Sequence, residues 1–150
     1  MQILVYFLIT VVTYILMEGV AWAAHKYLMH GFLWSWHEDH HINGPGFFEK
    51  NDRFFLVFAI PSITAFAIGG FTTQFWTLFV GLGILLYGIT YFLVHDVFIH
   101  QRFKWLRNAN GPYFKAIRRA HKIHHKHLTK EHGECFGMLF VPQKYFKQLK

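Results

Sequence analysis

Only one cysteine, Cys135, occurs in the 150 residues, which excludes an internal disulfide and leaves a small buried hydrophobe as its expected role. Charge is scarce: 15% of residues are charged against 53% hydrophobic and 20% aromatic, a composition far from that of ordinary soluble domains. Acids are the rarer sign, 8 against 15 lysines and arginines. The basic residues are themselves missing from two long stretches, everything before Lys26 and everything between Arg53 and Arg102. The start carries no basic cluster and no clear small-residue cleavage site, so the first apolar stretch is expected to be a retained membrane helix rather than a signal peptide. No nucleic-acid-binding motif accompanies the positive charge, which argues against nucleic acid as a partner. No flavin, haem or iron–sulfur motif is present either, so a redox reaction would draw its electrons from outside the chain.

Three apolar stretches fill the gaps in charge. Residues 3–24 would span about 33 Å as a helix, enough to cross a bilayer. Residues 54–70 form a shorter second stretch, in which Pro61 is placed to kink a helix. Residues 75–94 form a third, and the Gly69–Gln74 segment between them reads as a hairpin turn. The expected fold is a single all-α domain over residues 1–150, an integral membrane helical bundle of three to four spans. With the N-terminus on one side and the second and third stretches paired as a hairpin, all lysines and arginines fall on the other side. The positive-inside rule makes that side cytoplasmic in a multi-pass cell-membrane protein, and the net charge of +7 then reports orientation and attraction to anionic lipid.

On that same side stand ten of the 12 histidines, in two copies of one spacing. The first copy is His25 and His30, then His37, His40 and His41; the second is His95 and His100, then His121, His124 and His125. Each reads H-x4-H followed by H-x2-H-H. Imidazole is a common ligand for iron, zinc and copper, and ten are too many for one ion but suit two. His127 and His132 lie outside the pattern and read as hydrogen-bonded or surface groups. On an ideal helix His25 and His30 diverge by about 140°, so either they serve different ions or the last turn unwinds at Gly31. Ser35 and Glu38 read as a capping box opening a short helix that carries His37, His40 and His41 on one face, closed by the Asn43–Gly46 turn.

Two carboxylates are candidates to support the imidazoles. Glu18 lies seven residues before His25 on the same helical face, with a plain interfacial position as the alternative. Asp96, beside His95, is placed to accept from an imidazole, with solvated interfacial charge as the alternative. A further amphipathic helix is expected over about 112–128, opened by Asn110 or Gly111 and Pro112. One face holds Phe114, Ile117, His121, His124, His125 and Leu128, and the adjacent face Lys115, Arg118, Arg119, Lys122 and Lys126. The tail, apolar over Met138–Val141 and basic from Lys144, is expected to lie along the membrane surface.

These boxes and their flanks (Ala21–Gly31, Trp34–His41, Val94–Arg102, Ala120–His125 and Cys135–Gly137) resemble the membrane fatty acid hydroxylase/sterol desaturase superfamily, and within it the bacterial β-carotene hydroxylase group. The resemblance covers nearly the whole chain and implies a non-haem di-iron monooxygenase that uses O2 to hydroxylate carbon 3 of the β-ionone ring. β-Carotene would give β-cryptoxanthin and then zeaxanthin, with ketolated carotenoids as related substrates. It further implies that His25, His30, His37, His40, His41, His95, His100, His121, His124 and His125 ligate two irons, or zinc in an isolated sample. Their division between the ions stays open at this point. Electrons would come from ferredoxin and ferredoxin reductase, an acidic ferredoxin docking on the basic face. Trp34, Trp36, Phe92 and Phe98 are near enough to the boxes to line a ring pocket, with plain packing or an interfacial aromatic belt as the commoner alternative. The competing readings are a fatty acid or sterol hydroxylase or desaturase, and a non-enzymatic membrane metal-binding protein. The latter would place polar residues inside the spans, which are almost bare of them.

Overall fold

The structure, a computed structural model, describes residues 1–42 and 46–147. Every regular element among them is helical. Helix α1 (Gln2–Ala23) continues without interruption into a π-wound segment, Ala24–Phe32. After Leu33 comes α2 (Trp34–Ile42); a 3₁₀ segment (Lys50–Phe55) leads into α3 (Leu56–Phe71). Helix α4 (Trp76–Phe92) likewise runs into a π-wound segment, Leu93–Ile99, and α5 (Pro112–His124) and the short α6 (Lys144–Lys147) complete the chain. Three helical stretches, of 31, 22 and 24 residues, are long and apolar enough to cross a membrane, the first kinked near its end at Gly31.

Helix α4 is the axis of the bundle, packing against both α1 and α3. Glycine makes this possible. A Cβ on Gly83 would stand 2.7 Å from the Thr10 carbonyl oxygen of α1, and one on Gly81 would stand 3.1 Å from the Ser62 carbonyl oxygen of α3. Small residues at such crossings let backbones approach in the absence of a water-driven force between spans. Met17, Ala21, Phe58, Ile84 and Tyr87 are buried where the three helices meet. The opposite faces, such as Ile3, Phe7, Ile63 and Ile89, are exposed apolar surface of the kind lipid covers.

Several local expectations are corrected. Ser35 does not cap α2: the helix begins one residue earlier, at Trp34, and Trp36 N–H donates to the Leu33 carbonyl. Gly69 and Gly70 belong to the last turn of α3, and the reversal falls at Thr72–Phe75. Pro61 lies inside α3, and the helix runs past it unbroken, which decides neither for nor against the expected kink. Of the Asn43–Gly46 turn, residues 43–45 lie outside the described residues. Gly111 is the N-cap of α5, with Pro112 in its first turn, but the helix ends at His124 and leaves Phe114 and Leu128 exposed. Arg118 does not look outward: its guanidinium lies 4.0 Å from the centre of the Phe98 ring and donates to the Arg107 carbonyl oxygen. In the tail, Met138 is buried and Phe140 exposed, and Tyr145 further along packs against Ala116 and Ala120 of α5.

Candidate metal centre

The first box of each copy falls in a π-wound segment. There the backbone closes i to i+5, as His100 N–H donating to the His95 carbonyl (2.9 Å) and Leu33 N–H to the Leu28 carbonyl (3.0 Å) show. Five residues then make roughly one turn, so the wider winding brings the H-x4-H pair onto one face where an α-helix would splay it. The helix also departs from helical geometry at Gly31 (φ −108°, ψ −123°), the place where unwinding was expected. His25 and His30 therefore point together, with ring centres 5.3 Å apart, as do His95 and His100 at 4.5 Å.

The ten rings gather into two adjoining groups. His25, His30, His37 and His124 bring one ring nitrogen each within 4.8 Å of the others, and so do His40, His95, His100 and His121. The groups exchange a member: His40 leaves the first copy for the second group, and His124 does the reverse. Residues i and i+3 share a helix face but are offset by about 4.5 Å along the axis, which puts His37 and His40, or His121 and His124, at neighbouring centres. His41 and His125 stack on each other between the groups at 4.5 Å and 18°, His41 beside His37 and His125 beside His121. Eight of the ten histidines are buried.

What stands behind each ring fixes which nitrogen faces inward. His25 Nδ1–H donates to the Phe136 carbonyl (3.0 Å), His30 to that of Lys130 (3.3 Å) and His124 to that of Glu134 (2.8 Å). His37 donates to Asn51 Oδ1 (2.6 Å), His40 to Glu49 Oε2 (2.7 Å) and His95 to Asp96 Oδ2 (3.2 Å). A carbonyl oxygen can only accept, so Nδ1 carries the proton and Nε2 the lone pair. Yet His30 Nε2 and His124 Nε2 face each other at 3.2 Å, His25 and His37 at 3.1 Å, and His40 and His95 at 3.0 Å. Lone pairs aimed at one another in a buried space repel unless a cation stands between them. Buried His41 Nδ1 and His125 Nε2 also lack hydrogen-bond partners among the described residues. The donor set fits a metal ion in each group.

Protonation does not compete. Loss of water on burial is the main cause that holds His41 down to about 4 and His37, His100, His124 and His125 to about 2, and that keeps His40 and His121 well below the ordinary value. At neutral pH these imidazoles are uncharged, the form that binds metal.

Asp96 lies behind His95 and is itself held by Arg102 Nη1 (2.7 Å), which also reaches Asp52 Oδ1 (2.7 Å). Glu18 hydrogen-bonds none of the histidines. Its Oε1 accepts the backbone N–H groups of Met138 (2.8 Å), Leu139 (2.8 Å) and Phe140 (3.1 Å), and its Oε2 the Tyr87 hydroxyl (2.6 Å). Trp34 packs against the His30 and His41 rings, Trp36 against Phe54, and Phe98 lies under Arg118. Cys135 is half-buried and donates to the Tyr145 hydroxyl (2.9 Å). Glu49 and Asn51 escaped sequence reasoning. The signal available was their place in Glu49–Arg53, a polar run directly before the second span on the histidine side. The backbone carbonyls had none.

An apolar cavity of about 400 Å³ reaches the centre, lined by Phe54, Phe58, Gly88, Tyr91 and Phe92 and ending at His95 and Asp96. It shares Phe55, Phe58, Gly88 and Phe92 with a second cavity of about 470 Å³ between α3 and α4, whose lining includes the exposed Ile63, Leu85 and Ile89.

A family model described as fatty acid hydroxylase matches residues 10–142. The chain is 42% identical over 137 residues to a β-carotene hydroxylase of Pseudescherichia vulneris, covering 89% of this chain and 76% of that protein. It is 43% identical over 136 residues to the β-carotene hydroxylase of Pantoea ananas, covering 90% and 77%. A chloroplastic β-carotene 3-hydroxylase of an Oncidium hybrid cultivar is 40% identical over 136 residues, covering 89% of this chain and 44% of that protein. No solved structure matches. Two interleaved histidine groups at the end of a three-span helical bundle, and a match over almost the full length, place this chain in the fatty acid hydroxylase family.

Proposed function

We propose that this chain is a β-carotene 3-hydroxylase of the cell membrane, using O2 and two non-haem irons to convert β-carotene through β-cryptoxanthin to zeaxanthin. The observation that carries this reading is an apolar, lipid-side cavity that ends on one of two adjoining histidine groups. A carotenoid is dissolved in the bilayer, and such a cavity admits its terminal ring laterally without passage through water. The names of the relatives supply the substrate.

Iron, when bound, would supply the O2 activation that side chains cannot, since a ring methylene yields only to a strong oxidant. The chain's own part is to hold it and shape its surroundings. His25, His30, His37, His41 and His124 would ligate one ion, and His40, His95, His100, His121 and His125 the other. The Nδ1–H bonds of His25, His30, His37, His40, His95 and His124 to carbonyl, amide and carboxylate oxygens fix the tautomer and ring plane of those six. Phe54, Phe58 and Phe92 keep water away from the ring, and Tyr91 stacks on His95 at 5.1 Å. Positive charge gathered at the histidine end supports a cytoplasmic orientation of that end. There the exposed Lys115 and Lys122 of α5, and Lys126 just beyond it, offer a landing face for an acidic ferredoxin.

The test is expression in a host that accumulates β-carotene, beside His124→Ala. Zeaxanthin is expected from the parent and a loss of at least tenfold from the variant, which lacks a ligand. Unchanged carotenoids with newly hydroxylated fatty acids or sterols would move the assignment to those substrates. Metal uptake with no oxidised product under O2 and reductant would favour a metal-binding protein.

A further inference from the structure

The two histidine groups differ in the charge behind them. In the first group, the four Nδ1–H groups that find a partner all meet neutral oxygens: the Phe136, Lys130 and Glu134 carbonyls and the Asn51 amide. In the second, His40 meets the Glu49 carboxylate at 2.7 Å and His95 the Asp96 carboxylate at 3.2 Å. Part of the Asp96 charge is taken up by Arg102, 2.7 Å away, so the shorter contact to Glu49 carries more of the difference.

A carboxylate accepting from Nδ1–H draws that proton towards itself and leaves more electron density on the ring, making Nε2 a stronger donor; a carbonyl does this less. His40 is buried, and the Glu49 side chain is only 20% exposed, so the effect is less screened than it would be in water. We propose that Glu49, supported by Asp96, makes the group of His40, His95, His100 and His121 the stronger of two unequal metal sites, the one that fills first and releases its ion last. This rests on the reading that both groups hold metal. It also assigns the firmer site to the substrate, because the apolar cavity ends at His95 and Asp96 and not at the first group. Glu49 acts through His40 and is a positioning residue.

Two exchanges of charge at nearly constant shape test this. Glu49→Gln keeps an acceptor oxygen for His40 and removes the charge; Asn51→Asp puts a carboxylate behind His37 in the other group. Metal-free protein in detergent is titrated with zinc against a chromophoric chelator. The parent is expected to bind in two steps separated by about tenfold or more, and Glu49→Gln to weaken the tighter step by about 10- to 100-fold while the weaker one stays in place. Asn51→Asp is expected to tighten the weaker step, and it tests the idea alone if Glu49→Gln does not fold. Two equal steps in the parent, equal loss from both in Glu49→Gln, or no gain in Asn51→Asp would overturn the proposal while leaving the metal sites standing. A parent that binds no zinc would overturn the metal-site reading along with it.

Discussion

Glu18 sits in an apolar helix at 5% exposure, and four hydrogen bonds account for its presence there. A carboxylate at that depth is costly unless its lone pairs are met, and here three successive backbone N–H groups and a tyrosine hydroxyl meet them. The consequence runs to the metal centre indirectly. Glu18 pins residues 138–140, and the chain just before them presents the Phe136 carbonyl to His25 and the Glu134 carbonyl to His124. Glu18→Ala leaves those donors unpaired and is expected to cost on the order of 3 kcal/mol or more, with loss of metal from the first group before the second. Glu18→Gln retains an acceptor for the three N–H groups and is expected to cost about 1 kcal/mol. Thermal unfolding in detergent together with metal content checks both; an alanine variant that melts and binds like the parent would remove Glu18 from this role. That Glu18 needed a partner was legible from its place in a span. Which partner was not, because the contact lies 120 positions away and is made to main chain, which leaves no mark in the sequence.

At the scale of elements, the π-wound segments turn a puzzling spacing into a functional one. H-x4-H looks wrong for a helix only when the helix is an α-helix; with i to i+5 closure, His95 and His100 come together on one side. Spacing alone left two explanations open, since nothing local to Ala24–Phe32 or Leu93–Ile99 specifies wider winding. The three apolar helices and the start of α5 were legible, because hydrophobic length and the Gly111–Pro112 pair act locally, whereas α2 was expected from a Ser35 cap that the chain does not use. The tail's attachment was not legible, because Met138 and Tyr145 are buried by tertiary contact with α1 and α5 while Phe140 between them stays exposed. The α1–α4 crossing is where an element can be tested. A methyl on Gly83 would stand 2.7 Å from backbone of α1, which cannot rotate aside, so α1 must move as a body. Gly83→Ala is expected to cost about 1–3 kcal/mol as overpacking. Because α1 runs into the π-wound segment that carries His25 and His30, the thermal midpoint and the zinc affinity of the first group should fall together. A variant as stable as the parent would mean that this crossing is looser than the contact implies.

For the molecule as a whole, the bundle brings both copies of the box to one end. The N-terminal span delivers the first copy, the α3–α4 hairpin delivers the second, and the exchange of His40 and His124 locks the two halves together. The same hairpin makes the way in, since the two apolar cavities overlap at Phe55, Phe58, Gly88 and Phe92 between α3 and α4. Gly88 is the smallest of these. A Cβ there would meet only the Phe58 Cβ, at 3.6 Å, an ordinary contact, and both cavities border Gly88, so the atoms beyond that Cβ are expected to fill the passage rather than displace a helix. Gly88→Phe is therefore expected to leave metal content and thermal midpoint near the parent's while lowering kcat/KM for β-carotene by about tenfold or more, the scale on which apolar pockets discriminate by size. A shorter molecule carrying the same ring, which needs less of the passage, should be affected less. Equal turnover of β-carotene by parent and variant would mean that the ring reaches His95 by another route, and the space between α3 and α4 would then be a place where lipid tails rest.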